Sequence, residues 1–183
     1  MKSGVFFERD GVLNLAKVER GHQVSALSLD EFQVNPAALE PLQKLKAAGF
    51  VLVATTNQPG LSRGSVPRRE LDRMHAMLKQ SLPLDDILVC PHDEADRCSC
   101  RKPQAGLLLE AAFKWRVDLE RSYVVSDKWQ DAQAAHVAGC TSLLLKSPWI
   151  GKGHHDFVLS NLSELVQKIQ QLHSASILLM HQP

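Results

Sequence analysis

Short apolar segments alternate with longer segments of helical spacing along most of the chain. Five apolar runs end in polar or glycine-containing turns, which is typical of strands buried in a parallel sheet. These runs lie at 5–7, 50–54, 87–89, 123–125 and 143–145. Helical spacing is found at 36–48, 67–80, 105–115, 130–138 and 162–173. The alternation predicts an α/β fold, a Rossmann-like parallel sheet with helices on both faces and with ligands at the carboxyl ends of the strands.

Residues at the predicted helix boundaries refine this picture. Asn35 followed by Pro36 offers a cap with proline at the first helical position, and Gly49 stands just after the apolar period ends. Pro41 falls where the interior of that helix is expected, so the helix either begins later or kinks there. The apolar tail at 177–180 is expected to pack on the body of the protein, with packing on a second subunit as the alternative.

Length and charge limit the number of domains and the kinds of partner. A chain of 183 residues can bury one good core but is short for two, so residues 1–183 are expected to form a single domain. Lys and Arg total 21 against 20 for Asp and Glu, so no overall positive field favours nucleic acid or an anionic membrane. The N-terminus turns polar after three apolar residues, too few for a signal peptide or a membrane span. We expect a cytoplasmic monomer that binds neither nucleic acid nor membrane.

Three of the four cysteines lie close together, beside a histidine. Cys90, His92, Cys98 and Cys100 form the pattern C-x-H-x5-C-x-C, whereas Cys140 precedes an apolar run and is expected in the core. Three thiolates and one imidazole make a closed tetrahedral zinc site, unlike the wider spread of a disulfide framework. Because no ligand position is left open, the zinc of the loop 90–100 is expected to be structural. Reduced surface cysteines with an incidental histidine are the simpler alternative.

Polar side chains cluster at the ends of the predicted strands. The set comprises Glu8 and Asp10 after the first apolar run, Thr56 and Asn57 after the second, Arg101 and Lys102 before the third helix, and Asp127 after the fourth run. One cleft could then hold carboxylates for a metal, a hydroxyl, an amide, and cations for a phosphate. Any one acidic residue here is more simply a turn former or helix cap, but the ordered set indicates magnesium-assisted phosphoryl transfer.

The ordered set resembles the four motifs of the haloacid dehalogenase superfamily, and most closely its heptose-bisphosphate and histidinol-phosphate phosphatases. The motifs read FFERDGV at 6–12, TNQ at 56–58, RKP at 101–103 and VSDKWQD at 125–131. The resemblance implies magnesium-dependent hydrolysis of a phosphomonoester through an acyl phosphate. It makes position 8 the nucleophile and Asp10 the general acid and base. The other implied roles are phosphate or substrate contacts for Thr56, Asn57, Gln58, Arg101 and Lys102, magnesium ligands at Glu8, Asp10 and Asp127, a backbone-only ligand at Lys128, and a bracing carboxylate at Asp131.

Position 8 departs from the family pattern, which has aspartate there. Glu8 carries the carboxylate on one more methylene, displaced by roughly 1 Å or more, and a displacement of that size can lower the rate about a hundredfold. Asp10 cannot take over as nucleophile, because its own partner two residues on would be Val12, which transfers no proton. Three interpretations remain: a slow phosphatase that uses Glu8, a binding protein without turnover, and a chain altered on purpose.

The resemblance also indicates the substrate class. The segment 11–49 is expected to hold little beyond one helix, and 58–100 one helix, one strand and the zinc loop, so no large cap fits. An uncapped cleft suits an extended sugar bisphosphate, with Arg63 and the loop of Lys17, Arg20 and His22 as candidate holders of the distal phosphate or as plain solvated residues. By resemblance the substrate is the 7-phosphate of a heptose 1,7-bisphosphate, in surface-polysaccharide precursor synthesis, with histidinol phosphate as the rival.

Overall fold

The protein is built on a parallel sheet flanked by helices. A computed structural model describes residues 1–180, except for the side chains of Ile177, Leu179 and Met180. The strands are β1 (Lys2–Glu8), β2 (Lys17–Glu19), β3 (His22–Val24), β4 (Val51–Asn57), β5 (Asp86–Cys90), β6 (Val117–Ser126), β7 (Thr141–Leu145) and β8 (Phe157–Leu159). The α-helices are α1 (Leu39–Ala47), α2 (Arg68–Ser81), α3 (Gly106–Trp115), α4 (Trp129–Ala138) and α5 (Leu162–Met180).

The six strands of the main sheet lie in the order β5-β4-β1-β6-β7-β8, and all neighbours pair in parallel. From the central strand β1 the chain first builds one side of the sheet through β4 and β5, and then crosses to build the other through β6. The carboxyl end of β1 therefore lies where the direction of winding changes, the usual place for a ligand in such sheets.

Two apolar layers cover the two faces of the sheet. Helices α1, α2 and α5 pack on one face, where Leu45, Met74 and Ile169 are fully buried. Helices α3 and α4 pack on the other face through side chains such as Leu107 and Ala135. The predicted α/β sheet with helices on both faces is confirmed.

All five predicted strands and five predicted helices are found, with boundary differences that have physical reasons. A single 3-10 turn over Pro36–Ala38 precedes α1. The α-helix therefore begins later than position 36, which is one of the two alternatives predicted from Pro41. Pro41 then lies in the first turn, where backbone amides have no partner within the helix, and its missing N–H leaves no gap.

The segment between β1 and α1 holds more structure than expected. Strands β2 and β3 pair antiparallel as a separate hairpin, so the expectation of little beyond one helix in 11–49 is wrong. The turn consists of Arg20 and Gly21, both with positive φ (50° and 79°), the backbone shape that suits a two-residue hairpin loop. No large cap is found within residues 1–180.

The C-terminal helix is longer than its sequence pattern indicated. Helix α5 continues through the apolar tail to Met180, and Leu178 is exposed on it. The prediction that the apolar tail packs on the body of the protein otherwise concerns Ile177, Leu179 and Met180, whose side chains lie outside those described. Across residues 1–180, no helix is both long and apolar enough to cross a membrane.

Candidate active site

The end of β1 brings the two predicted catalytic carboxylates into one buried place. Glu8 is the last residue of the strand, Asp10 follows in the turn, and both are only 4% exposed. Gly11 lets this turn approach Asp127, because a Cβ at this positive-φ residue would come within 2.4 Å of an Asp127 carboxylate oxygen.

The Glu8 carboxylate lies among donors. Its Oε1 accepts hydrogen bonds from the backbone amides of Arg9 (2.9 Å) and Asp10 (3.2 Å), and its Oε2 accepts from the Lys102 ammonium. Burial opposes ionisation, but the charges of Lys102 and then Lys128 hold the pKa of Glu8 below its usual value. Glu8 is therefore an anion at neutral pH.

Lys102 is shared between two carboxylates. Besides Glu8, its ammonium donates to Asp131 Oδ1 (2.6 Å) and to the carbonyl of Thr55 (3.1 Å), and its side chain is only 3% exposed. Burial disfavours its charge, but the Asp131 and Glu8 carboxylates raise the pKa of Lys102 above its usual value. Burial raises the pKa of Asp131 to about 6 against the pull of Lys102. Lys102, which was predicted to contact phosphate, thus also offsets the negative charge of the buried Glu8 and Asp131 carboxylates.

Asp10 is held on both sides. Arg9 is fully buried and donates from Nε to Oδ1 (3.0 Å) and from Nη2 to Oδ2 (3.1 Å), a two-point contact that fixes the carboxylate plane. Ser25 Oγ (2.6 Å) and Gln58 Nε2 (3.0 Å) donate to Oδ2 as well. Burial opposes its charge, yet Arg9 and then Lys128 hold the pKa of Asp10 below its usual value. The arrangement fixes a carboxylate beside Glu8 in one orientation.

A histidine from α2 completes the surroundings of Arg9. The Arg9 guanidinium is 3.1 Å from His75 Nε2 through Nη1 and lies 5.3 Å from the centre of the Phe32 ring. Burial, and then the Arg9 charge, lower the pKa of His75 to about 4, so at neutral pH the uncharged ring accepts the Arg9 hydrogen bond.

His75 should therefore make the protein acid-sensitive. Between pH 6.5 and 4 the unfolded chain binds a proton at His75 that the folded chain does not, so this stabilisation is complete above pH 6.5 and lost toward pH 4. The loss is roughly 3 kcal/mol at most. Urea unfolding of the native chain and of His75→Gln at pH 7 and 4.5 checks it: the fall in unfolding free energy should be smaller in the variant, and equal falls would refute the assignment.

The residues at the end of β4 and directly after it make contacts that sequence alone did not indicate. Thr56 is fully buried, and its Oγ1 accepts from Gln58 Nε2 (2.8 Å). Asn57 donates from Nδ2 to the Lys102 carbonyl and accepts from the Lys102 amide through Oδ1, both at 3.1 Å. Asn57 and Gln58 were predicted to contact substrate; here their side chains hold Lys102 and Asp10, and the substrate contacts stay a prediction.

A set of oxygens at the end of β6 fits a divalent cation. Asp127 lies directly after the strand, and its Oδ1 is buried without a hydrogen-bond partner, while Oδ2 accepts from Gln23 Nε2 (3.0 Å). Lys128 places its ammonium 2.9 Å from the Asp10 carbonyl and 3.9 Å from both Glu8 Oε2 and Asp127 Oδ1. The Lys128 ammonium thus already lies among the oxygens that were predicted to bind magnesium, so this place favours a positive charge. The surrounding ligand atoms are oxygens, which are the ligands that magnesium prefers. The sequence had assigned Lys128 by its backbone alone.

The four predicted zinc ligands converge. Sγ of Cys98 lies 3.6 Å from Sγ of Cys90 and 3.5 Å from Sγ of Cys100, and His92 Nδ1 is 3.3 Å from Sγ of Cys100 and 3.7 Å from Sγ of Cys90. A tetrahedron with metal–sulfur bonds of about 2.3 Å has edges of roughly 3.7 Å, so the cluster fits a tetrahedral metal ion.

This loop leads directly into the cations of the site. Arg101 follows Cys100 and donates from Nη1 to the His92 carbonyl (3.2 Å), which ties it to the loop. Helix α3 begins against the loop at Gly106, where a Cβ would lie 2.3 Å from the Ser99 carbonyl oxygen. Only glycine allows this approach, so the metal loop, the helix start and Lys102 form one packed unit.

The hairpin supplies two polar side chains that sequence analysis missed. Gln23 on β3 donates to Asp127, and Ser25 just after it donates to Asp10. The signal in the sequence was Gly21 between two short segments, which is weaker than the Asn-Gly or Asp-Gly pairs that mark a two-residue hairpin. The hairpin forms one wall of a cavity of about 400 Å³ whose other walls include Glu8, Arg63, Arg101 and Lys128.

The site therefore combines a buried carboxylate, a second carboxylate fixed beside it, four cationic side chains (Arg63, Arg101, Lys102 and Lys128) and a group of oxygens suited to a divalent cation. These are the elements needed to split a phosphomonoester by way of a carboxylate nucleophile.

Comparison with known proteins gives concordant matches. The HAD-hydrolase-like family matches residues 99–165. A D-glycero-beta-D-manno-heptose-1,7-bisphosphate 7-phosphatase of Pasteurella multocida is 32% identical over 190 residues, covering 95% of this chain and 100% of the relative. The phosphatase of the same name from Escherichia coli K12 is 32% identical over 184 residues, covering 91% and 93%. The crystal structure of D,D-heptose 1.7-bisphosphate phosphatase from B. bronchiseptica, complexed with magnesium and phosphate, has a TM-score of 0.78 at 30% identity, covering 93% and 99%.

Proposed function

The chain belongs to the HAD-like phosphatase family that contains these heptose bisphosphate phosphatases, and from this premise we propose that it hydrolyses the 7-phosphate of D-glycero-D-manno-heptose 1,7-bisphosphate, slowed by Glu8. The observation that carries the proposal is identity of about one third over more than nine tenths of the chain, together with the convergence of the motif residues at one strand end. The rival substrate is histidinol phosphate.

In the proposed reaction Asp10 first takes up a proton from solvent, which the negative charge of the arriving phosphate favours. A Glu8 oxygen then attacks phosphorus, the bond from phosphorus to the sugar oxygen breaks, and Asp10 protonates the departing alkoxide. Water then attacks the acyl phosphate while Asp10 takes up its proton, which returns Glu8 and releases inorganic phosphate. Lys102, whose ammonium contacts Glu8, stabilises the negative charge on the phosphoryl oxygens. Thr56 is proposed to bind one of these oxygens. Arg9, Ser25 and Gln58 keep Asp10 oriented toward the leaving oxygen.

Mg²⁺ is the proposed divalent cation. Glu8, the Asp10 carbonyl and the unpartnered Oδ1 of Asp127 would hold it, with Asp131 behind them and the Lys128 backbone as a further ligand, while the Lys128 ammonium moves aside. Bound there, the ion would neutralise the charge of the phosphate that Glu8 must approach.

Zn²⁺ is the proposed ion of the cluster Cys90, His92, Cys98 and Cys100. All four positions of a tetrahedron are taken by protein, so the ion would be structural, and it would fix the segment that carries Arg101 and Lys102.

We expect about one zinc per chain in the purified protein. In Cys98→Ser the zinc content should fall severalfold and activity with it, because the loop before Lys102 loses its anchor. Elemental analysis and phosphate release measure the two effects. The matched control is Cys140→Ala, which removes a buried thiol outside the cluster and should retain zinc. Unchanged zinc content in Cys98→Ser would contradict the assignment.

Arg63 is the proposed contact for the second phosphate of the substrate. It lines the same cavity as Glu8, and Asp93 on the metal loop binds it at two points, which aims the guanidinium while leaving it 58% exposed. The hairpin residues Lys17, Arg20 and His22 are less suited, because they are not among the residues that line this cavity. Lys17 is in addition engaged by Glu19 and Glu31.

The substrate is tested by phosphate release from heptose 1,7-bisphosphate and from histidinol phosphate at equal concentration with excess Mg²⁺. The bisphosphate should be hydrolysed with the higher kcat/KM. In Arg63→Ala the KM for the bisphosphate should rise about tenfold or more while that for histidinol phosphate stays constant. Preference for histidinol phosphate would favour the rival enzyme, and ligand binding without release of phosphate would favour a catalytically silent binding protein.

A further inference from the structure

The donors around Glu8 form an anion cradle. Two consecutive backbone amides, those of Arg9 and Asp10, point at Glu8 Oε1, and the Lys102 ammonium points at Oε2. Successive amides in a tight turn, together with a buried cation, are a general arrangement for binding the oxygens of a phosphoryl group. In this protein the cradle is filled by a carboxylate that belongs to the chain.

The length of the side chain explains why the carboxylate reaches this position. An aspartate at the same backbone position would end about 1.5 Å earlier, one carbon–carbon bond short. The Glu8 carboxylate therefore lies farther out, where a phosphoryl group attached to a shorter carboxylate would lie. There its Oε2 is paired with the ammonium of Lys102 and lies 3.9 Å from that of Lys128.

We propose that the Glu8 carboxylate is an internal occupant of the phosphoryl position, standing in for the phosphoryl group of the covalent intermediate. The proposal rests on the proposed function for the identity of that position. Substrate must displace Glu8 from the cradle before Glu8 can act, so the displacement limits both phosphate binding and turnover.

The surroundings favour the occupied state. If Glu8 left the cradle, two buried amides would lose their acceptor and Lys102 would keep Asp131 as its only carboxylate partner among the described contacts. A tethered carboxylate also acts at an effective concentration in the millimolar range or above, so it competes well with free phosphate.

The test is calorimetric titration of inorganic phosphate, with Mg²⁺ present, into the native chain, Glu8→Asp and Glu8→Ala. Glu8→Asp keeps the charge and withdraws the carboxylate by one methylene, so it separates occupancy from simple repulsion. Glu8→Asp, which keeps a carboxylate for Mg²⁺, is expected to bind phosphate at least about tenfold more tightly than the native chain. Glu8→Ala loses this proposed magnesium ligand, so it is also titrated without Mg²⁺, where it too should bind phosphate more tightly than the native chain. Glu40→Asp, an exposed glutamate on α1, is the matched control and should bind like the native chain.

A second measurement guards against a folding defect in the variants. Phosphate should raise the thermal midpoint of Glu8→Asp, by an amount that grows with the logarithm of its affinity, and leave that of the native chain nearly constant. Native binding as tight as that of Glu8→Asp would overturn the proposal. If Glu8→Asp gains phosphate affinity but hydrolyses no sugar phosphate, the internal occupant stands and the phosphatase function fails. If Glu8→Asp hydrolyses sugar phosphate without a gain in phosphate affinity, the phosphatase function stands and the internal occupant fails.

Discussion

Replacing Glu8 by aspartate is expected to raise kcat for the bisphosphate about a hundredfold. The shorter arm returns the carboxylate to the distance at which it faces phosphorus, and it leaves the amides of Arg9 and Asp10 to the substrate. The rest of the site needs no change, because Lys102, Asp131 and the group around Asp10 already hold each other in place. Release of inorganic phosphate under saturating substrate and Mg²⁺ measures the effect.

The control for this gain is Glu8→Gln, which has the length of the native side chain but cannot form an acyl phosphate. It should show no hydrolysis above background. Equal rates for the native chain and Glu8→Asp would mean that glutamate is a competent nucleophile here and that its extra methylene does not misplace the carboxylate. Inactivity of both would remove the phosphatase function.

Lys102→Met is expected to lower the unfolding free energy by about 3–5 kcal/mol and to abolish hydrolysis. Methionine fills similar space, so the cost comes mainly from charge: Glu8 and Asp131 would remain buried without the cation they share. Urea unfolding at pH 7 measures the loss.

The pH dependence shows whether charge is the cause. In Lys102→Met the two carboxylates can bind a proton, so the deficit relative to the native chain should shrink as the pH falls toward 5. Lys44→Met, which removes an exposed ammonium paired with Glu40 on α1, should change stability little. A deficit independent of pH would point to packing instead.

The sheet and the cluster of Cys90, His92, Cys98 and Cys100 could be predicted from sequence because each depends on neighbouring residues. Apolar runs at 5–7 and 123–125 mark the buried strands β1 and β6, and parallel strands bring their polar ends to one edge. The cluster from Cys90 to Cys100 lies within one loop, so its spacing alone indicates tetrahedral binding.

Contacts between distant segments could not be predicted in this way. The Asn57 clamp on the Lys102 backbone depends on the register of β4 beside β5 and on the path of the metal loop, neither of which leaves a local pattern. The contact of Arg9 with His75 spans 66 positions and requires α2 to lie over the turn after β1. The interior position of Arg9 was equally hidden, because an arginine in a polar motif is ordinarily exposed.

The β2–β3 hairpin has a consequence for how the mouth of the site can diversify. It forms a sheet of its own, joined by a two-residue turn with nothing within 4 Å of the Cβ direction of Gly21, yet it reaches the site through Gln23 and Ser25. Insertions at the turn would enlarge the wall of the cavity while the parallel strands keep their register. Engineered variants can thus acquire a different cavity wall by changing this one arm, a modular route that leaves the pairing of the six-stranded sheet intact.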